Sequence, residues 1–210
     1  MAHYSSKLRS EQAAATRSRV FAAAGTQFAE SGYTATTLRS IAEQAGVSIE
    51  TVQATGAKRA LLMAAFDQIF TGEEDEKHFS ERQGVAEILG DPDIEQAVRN
   101  LARWIADGNT RISPLWRIIT AAAANDPEIA EYHREHLARM RKQAAEIITN
   151  LQSRDLIDPP RPVGQTADLV WHAQLPDARL RLVVDAGWSH EAYADWLEET
   201  FVDLCRPRRR

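Results

Sequence analysis

The chain has 210 residues, 44% of them hydrophobic and 26% charged, with a formal net charge of -5. A chain of that length buries a substantial core, and the balance is that of a globular protein rather than a disordered or fibrous one. No apolar run approaches the roughly 18 residues of a membrane span, the N-terminus lacks the apolar stretch of a signal peptide, and the single Cys205 cannot form an internal disulfide, so the expectation is a cytoplasmic protein with no membrane contact.

The charge is unevenly spread. Residues 1–60 hold seven Lys or Arg against four Asp or Glu, a net of +3 that leaves -8 on the remainder. A basic end on an acidic body suits a protein whose one end meets phosphate. In chain order, residues 1–11 read as a flexible basic arm of the kind that reaches a minor groove. A helix follows from Ala13 to Ser31, with Val20, Phe21, Ala24 and Phe28 on one stripe, and Gly32 and Tyr33 end it.

The next stretch, Thr36 to Lys58, is the one around which the chain is organised. Leu38, Ile41, Ala42 and Ala45 fall at i, i+3, i+4 and i+7, one face of a short helix, with Thr36 or Thr37 available as its cap. Gly46 can end that helix in the left-handed region, and Ser48 can cap a second one with Glu50 in its first turn. So tight a turn forces a steep crossing. Ala42, Gly46 and Val52 supply the small side chain, turn glycine and apolar anchor that a helix-turn-helix needs. The outward side chains Ser48, Ile49, Glu50, Thr51, Gln53, Ala54 and Thr55 then contribute little to a core, and in such units that face enters the major groove of duplex DNA. Past Gly56, a connecting helix runs from Ala57 to Phe70 with Leu61, Leu62, Ala65, Phe66 and Ile69 inward.

The run FAAAGTQFAESGYTATTLRSIAEQAGVSIETV followed by KRALL resembles the N-terminal DNA-binding domain of the TetR family of bacterial transcriptional regulators. The match covers about Arg17 to Leu62, with Phe28, Gly32, Tyr33, Thr36, Thr37, Ile41, Ala42, Gly46, Val47, Ser48, Thr51, Val52 and Lys58 in register. The resemblance implies an all-α homodimer, with an N-terminal three-helix DNA-binding domain and a helical second domain that binds a small-molecule effector and dimerises. It implies no cofactor, and a repressor that leaves a palindromic operator when the effector binds. Thr37, Arg39 and Lys58 join the outward side chains as candidate DNA contacts, Thr37 and Lys58 on phosphates. The chain departs from the family in its recognition helix. Glu50 stands where a glycine is usual, Gln53 where a tyrosine is usual, and Thr55-Gly56 where an aromatic pair is usual, and the segment before Lys58 is one residue short. Gln53 can pair bidentately with adenine, and Glu50 can accept from cytosine N4.

Residues 73–91 read as an irregular charged connection with a frayed helical turn or two. Beyond them, Asp91-Pro92, Ser113-Pro114, Asp126-Pro127 and Leu175-Pro176 place proline at helix starts, which predicts helices near 92–109, 114–124, 127–154, 163–174, 176–186 and 189–205. The domain division is then 1–11, 12–56, 57–72 and 73–210, with about ten helices in all. His133 and His136 interrupt an apolar stripe that includes Ile129, Met140, Ala144, Ile147 and Leu151. They can be locally satisfied core or rim groups, a metal pair, or polar handles of a ligand cavity walled by Trp104, Trp116, Met140 and Trp171. The last helix, capped by Ser189, carries Tyr193, Trp196 and Phe201, and the resemblance implies a four-helix dimer interface built from these and Trp171. The tail Arg206–Arg210 reads as a solvated basic end.

Against the regulator stand two other classes. An enzyme finds no support in any nucleophile elbow, phosphate loop or Glu-x-x-His pair. An all-helical adaptor without a DNA role would lack salt-dependent DNA binding.

Overall fold

The computed structural model of the protein describes residues 2–71 and 83–207. Ten α-helices follow in order: α1 (Ala2–Ala35), α2 (Leu38–Ala45), α3 (Ile49–Thr55), α4 (Lys58–Thr71), α5 (Gln83–Leu89), α6 (Ile94–Ala123), α7 (Pro127–Ser153), α8 (Val163–Ala173), α9 (Pro176–Arg179) and α10 (His190–Cys205). A π-helical stretch, Leu180–Asp185, continues α9. There is no strand among the described residues, and one isolated bridge joins Ile157 to Pro207.

Two local expectations are corrected. The arm expected at 1–11 is helical from Ala2, a stretch that holds neither Gly nor Pro to break the helix. The helices expected near 92–109 and 114–124 are one helix, α6, with Pro114 inside it. An interior proline costs about 3 kcal/mol. Burial of Ile112, Leu115, Trp116 and Ile119 on either side outweighs it, and the Ser113 hydroxyl donates to the Asn109 carbonyl beside the interruption. Within the connection over 73–91, the helical turn or two expected there is α5, while the acidic run lies outside the described residues, as do Arg208 to Arg210.

The contacts divide the chain into two compact units. One comprises Met1–Asp75 with Pro114–His133, the other Glu76–Ser113 with Arg134–Arg210, so α6 and α7 each contribute to both. In the first unit, Val20, Ala24 and Phe28 of α1 are buried, as are Ile41 and Val52 of the two short helices, and Leu61, Leu62, Ala65 and Phe66 of α4. Gly25 lies where α1 approaches α4, against the tip of the Ile69 side chain. A Cβ there would stand 2.8 Å from Ile69 Cδ1. The expected second domain therefore loses 114–133 to the first unit, where Phe66 packs 5.8 Å from Trp116 and the Tyr132 hydroxyl donates to Asp67 Oδ1 at 2.8 Å. The core of the second unit is larger, running from Val85 through Ile94, Val98, Leu101 and Ile105 to Leu151, Tyr193, Leu197 and Phe201.

Candidate nucleic-acid interface and second-unit sites

The corner between α2 and α3 is assembled from local hydrogen bonds. Thr37 caps α2 in a reciprocal box, its Oγ1 accepting from Ser40 N at 3.0 Å while its own N–H donates to Ser40 Oγ at 3.2 Å. Thr36, the alternative cap, is buried. Its hydroxyl lies 2.8 Å from the Gly32 carbonyl and 3.0 Å from that of Gln27, so it ties down the end of α1 instead. Gly46 sits at φ 65°, ψ 39°, and Val47 N–H reaches the Ala42 carbonyl while Gly46 N–H reaches that of Glu43. This is a Schellman closure, which satisfies two carbonyls that the last turn would otherwise leave unpaired. Two residues on, Ser48 caps α3 by accepting from Thr51 N at 3.2 Å.

Of α3, only Val52 is buried. Ser48, Glu50, Gln53 and Ala54 are exposed, and Ile49, Thr51 and Thr55 half-buried. The two threonines are turned onto their own helix: Thr51 Oγ1 lies 3.2 Å from Ser48 Oγ, and Thr55 Oγ1 donates to the Thr51 carbonyl at 2.9 Å. The Glu50 carboxyl is held below the usual carboxylate range by its own backbone N–H and by the Ser48 hydroxyl. Lys58 is anchored. Its ammonium donates to the Thr34 carbonyl at 3.1 Å, lies 4.8 Å from the centroid of the Tyr33 ring, and is depressed in pKa by burial. Tyr33 in turn stacks on Phe28, and its pKa is raised by burial and by nearby Asp126. Arg39 is exposed in the first turn of α2. The geometry is thus a rigid corner with one outward polar face, flanked by a hydroxyl at Thr37 and cations at Arg39 and Lys58.

The six residues expected to line a ligand cavity fall in both units. Trp116 and His133 belong to the first, with rings 5.0 Å apart in an edge-on contact; Trp104, His136, Met140 and Trp171 belong to the second. His136 is buried, with Nδ1 3.4 Å from Arg139 Nη2. No group of three or more His, Cys, Asp or Glu side chains placed to hold a metal ion occurs among the described residues.

Of the four expected interface residues, Tyr193 and Phe201 are 0% and 2% exposed, inside the core of their own protomer. They face inward because α10 has a partner that sequence periodicity does not reveal: Asn109, 84 positions earlier on α6, donates to the Tyr193 hydroxyl at 2.9 Å and to the Gln174 carbonyl at 3.0 Å. Trp196 and Trp171 are half-buried, Trp196 stacking on Tyr193. Sequence reasoning missed Leu169, Val184 and Trp188, the large apolar side chains left 38%, 51% and 40% exposed. For Leu169 a signal existed. Thr166, Ala167, Val170 and Ala173 complete the buried stripe of α8 without it.

Residues 20–53 match the family model described as bacterial regulatory proteins of the tetR family. Among solved structures, the fold is similar to that of a protein assigned to the TetR-family transcriptional regulators from Mesorhizobium loti MAFF303099, with a TM-score of 0.68, 21% identity and coverage of 90% of this chain and 96% of that one. It is also similar to NalD, the secondary repressor of the MexAB-OprM multidrug efflux pump in Pseudomonas aeruginosa, with a TM-score of 0.65, 17% identity and coverage of 93% and 98%. A third similar structure is a SmeT–triclosan complex, with a TM-score of 0.63, 16% identity and 90% of each chain covered. No curated protein sequence matches. The N-terminal stretch thus carries the signature of that family's DNA-binding domain, and the chain shares the all-helical fold of these structures. Among the described residues, no helix is long and apolar enough to cross a membrane.

Proposed function

We propose that the protein is a ligand-responsive transcriptional repressor that holds a palindromic DNA operator as a homodimer and leaves it when a small molecule binds its helical domain. The observation that carries this reading is the capped corner of α2 and α3, which spends only Val52 of α3 on the core and leaves the outward face of that helix to the solvent. Ser48, Ile49, Glu50, Thr51, Gln53, Ala54 and Thr55 form the groove-facing surface, while Thr37, Arg39 and Lys58 stand beside the phosphates. Lys58 acts at short range, because its ammonium is already tied to the end of α1.

Two such helices must stand roughly 34–36 Å apart to enter successive major grooves. An effector that binds better to a conformation with another separation lowers operator affinity by its differential binding energy. That NalD is a repressor and that SmeT forms a complex with triclosan support a repressor with a small-molecule effector. Of the expected effector contacts, Trp104, His136, Met140 and Trp171 lie within one unit and remain proposed. The proposed face for a second copy rests on Trp171 and Trp196, with exposed Leu169 and Trp188 as further apolar surface.

Selection from a random duplex pool with the purified full chain tests the proposal. Enrichment of a palindrome with half-site centres one helical turn or a multiple apart is expected, along with affinity that falls steeply with salt. A pool that enriches nothing, or a chain that stays monomeric at working concentration, overturns it.

A further inference from the structure

The outward face of α3 is chemically narrower than its seven polar or small residues suggest. No Arg or Lys lies between Ser48 and Ala57, so this helix carries no guanidinium or ammonium for the O6/N7 edge of guanine. The hydroxyls are engaged locally: Ser48 Oγ accepts from Thr51 N and contacts Thr51 Oγ1, and Thr55 Oγ1 donates back to the Thr51 carbonyl. Glu50, whose carboxyl is held below the usual carboxylate range by its own backbone N–H and the Ser48 hydroxyl, can only accept. Ile49 is half-buried hydrocarbon. What remains is Gln53, exposed, with an amide that has no hydrogen-bond partner among the described residues, and next to it the exposed methyl of Ala54.

An amide offers one acceptor and two donors on a planar fork, which matches the N6 donor and N7 acceptor on the major-groove edge of adenine. A methyl group matches the C5-methyl of thymine. We propose that Gln53 is the principal base reader of this protein, that each operator half-site presents it an adenine with a thymine methyl near Ala54, and that methylation of that adenine at N6 blocks recognition. Removal of the N6 proton that faces the groove leaves the Gln53 carbonyl oxygen buried against a methyl group instead of a donor. This rests on the DNA-binding reading above, and adds to it the base identity and the sensitivity to a chemical mark.

The test uses the full chain and its Gln53→Ala variant, an exposed substitution that leaves the core of α3 untouched. Both proteins are taken through the random-pool selection. The site enriched by the unmodified protein is then synthesised with 7-deazaadenine or N6-methyladenine at each half-site adenine in turn, and both proteins are titrated at one salt concentration. The unmodified protein is expected to lose about tenfold or more in affinity per modified half-site at one adenine position, and Gln53→Ala to be indifferent at that position and to relax its preference there. A palindrome that both proteins enrich equally, or one whose adenines can all be modified without loss, overturns this inference and leaves the regulator standing. A pool from which the unmodified protein enriches nothing overturns the regulator and this inference with it.

Discussion

The corner of α2 and α3 and the seam between α6 and α10 solve opposite problems. The corner consists of helices of eight and seven residues, too short to persist alone in water. It is held by bonds between near neighbours, Thr37 with Ser40, Gly46 and Val47 with the carbonyls of Glu43 and Ala42, Ser48 with Thr51. The seam joins helices of 30 and 16 residues by bonds that span 84 to 95 positions of sequence. Arg103 reaches Glu191, Asp195 and Glu198 together, and Asn109 reaches Tyr193. The seam uses up its polar groups on itself. The corner satisfies only its helix ends and keeps its outward face in reserve, which is what a surface built for an external partner requires.

The largest effects come from breaking either core. Phe28 is fully buried beneath the corner, and Phe28→Ala is expected to cost about 3–5 kcal/mol in chemical denaturation and to abolish DNA binding at growth temperature. A loss under 1 kcal/mol would mean that α1 does not brace the corner. In the seam, Asn109→Ala removes two bonds at once and leaves the Gln174 carbonyl without its donor, for an expected cost of about 2–3 kcal/mol. The pairing itself is sharpened by a double-mutant cycle with Tyr193→Phe, whose two single costs should fail to add.

These two regions were unequally legible in the sequence. The caps Ser48, Asp126 and Ser189, the closure at Gly46, and the buried set Phe28, Ile41 and Val52 all rest on residues within a turn or two of each other, and periodicity and capping rules reach that far. Asn109 and Arg103 read as ordinary polar residues of a helix, because the groups that satisfy them are more than sixty positions away. For the same reason Tyr193 and Phe201 looked available to a second copy, although both are buried in the core and Tyr193 is bonded to Asn109 of α6. Pro114 misled in another way: a proline preceded by serine is a start signal locally, and only burial on both sides of it shows that the helix continues. On the outward face of α3, sequence identified the candidates, but the hydrogen bonds that take Thr51 and Thr55 out of contention needed coordinates.

Smaller substitutions separate the two regions by mechanism. Ser48→Ala removes the cap of α3 and is expected to cost about 1 kcal/mol, whereas Ser48→Gly costs only a few tenths, since glycine is tolerated at that position. Equal losses would mean that the hydroxyl serves something other than the cap. Arg103→Gln should cost about 0.5 kcal/mol, because the side chain is 40% exposed and solvent screens the three carboxylates it would leave facing each other. Melting in high salt should shrink the difference. A cost that salt does not touch would assign Arg103 a packing role.

The least conspicuous effect at neutral pH belongs to Cys205, at the end of α10. Burial pushes its thiol up to about 12 from an ordinary value of 9.0. Below pH 9 the thiol is protonated in the folded and the unfolded chain alike, so it contributes no pH dependence. Between pH 9 and about 12 the unfolded chain ionises while the folded one does not, so stability should fall as pH rises through that window. A Cys205→Ala variant, whatever its own offset, should lack that portion of the slope. The buried thiol should also resist an aqueous thiol reagent at pH 8 until the protein unfolds. Rapid labelling of the native protein would show that the end of α10 opens easily, and that the seam is held by α6 only as far as Glu198.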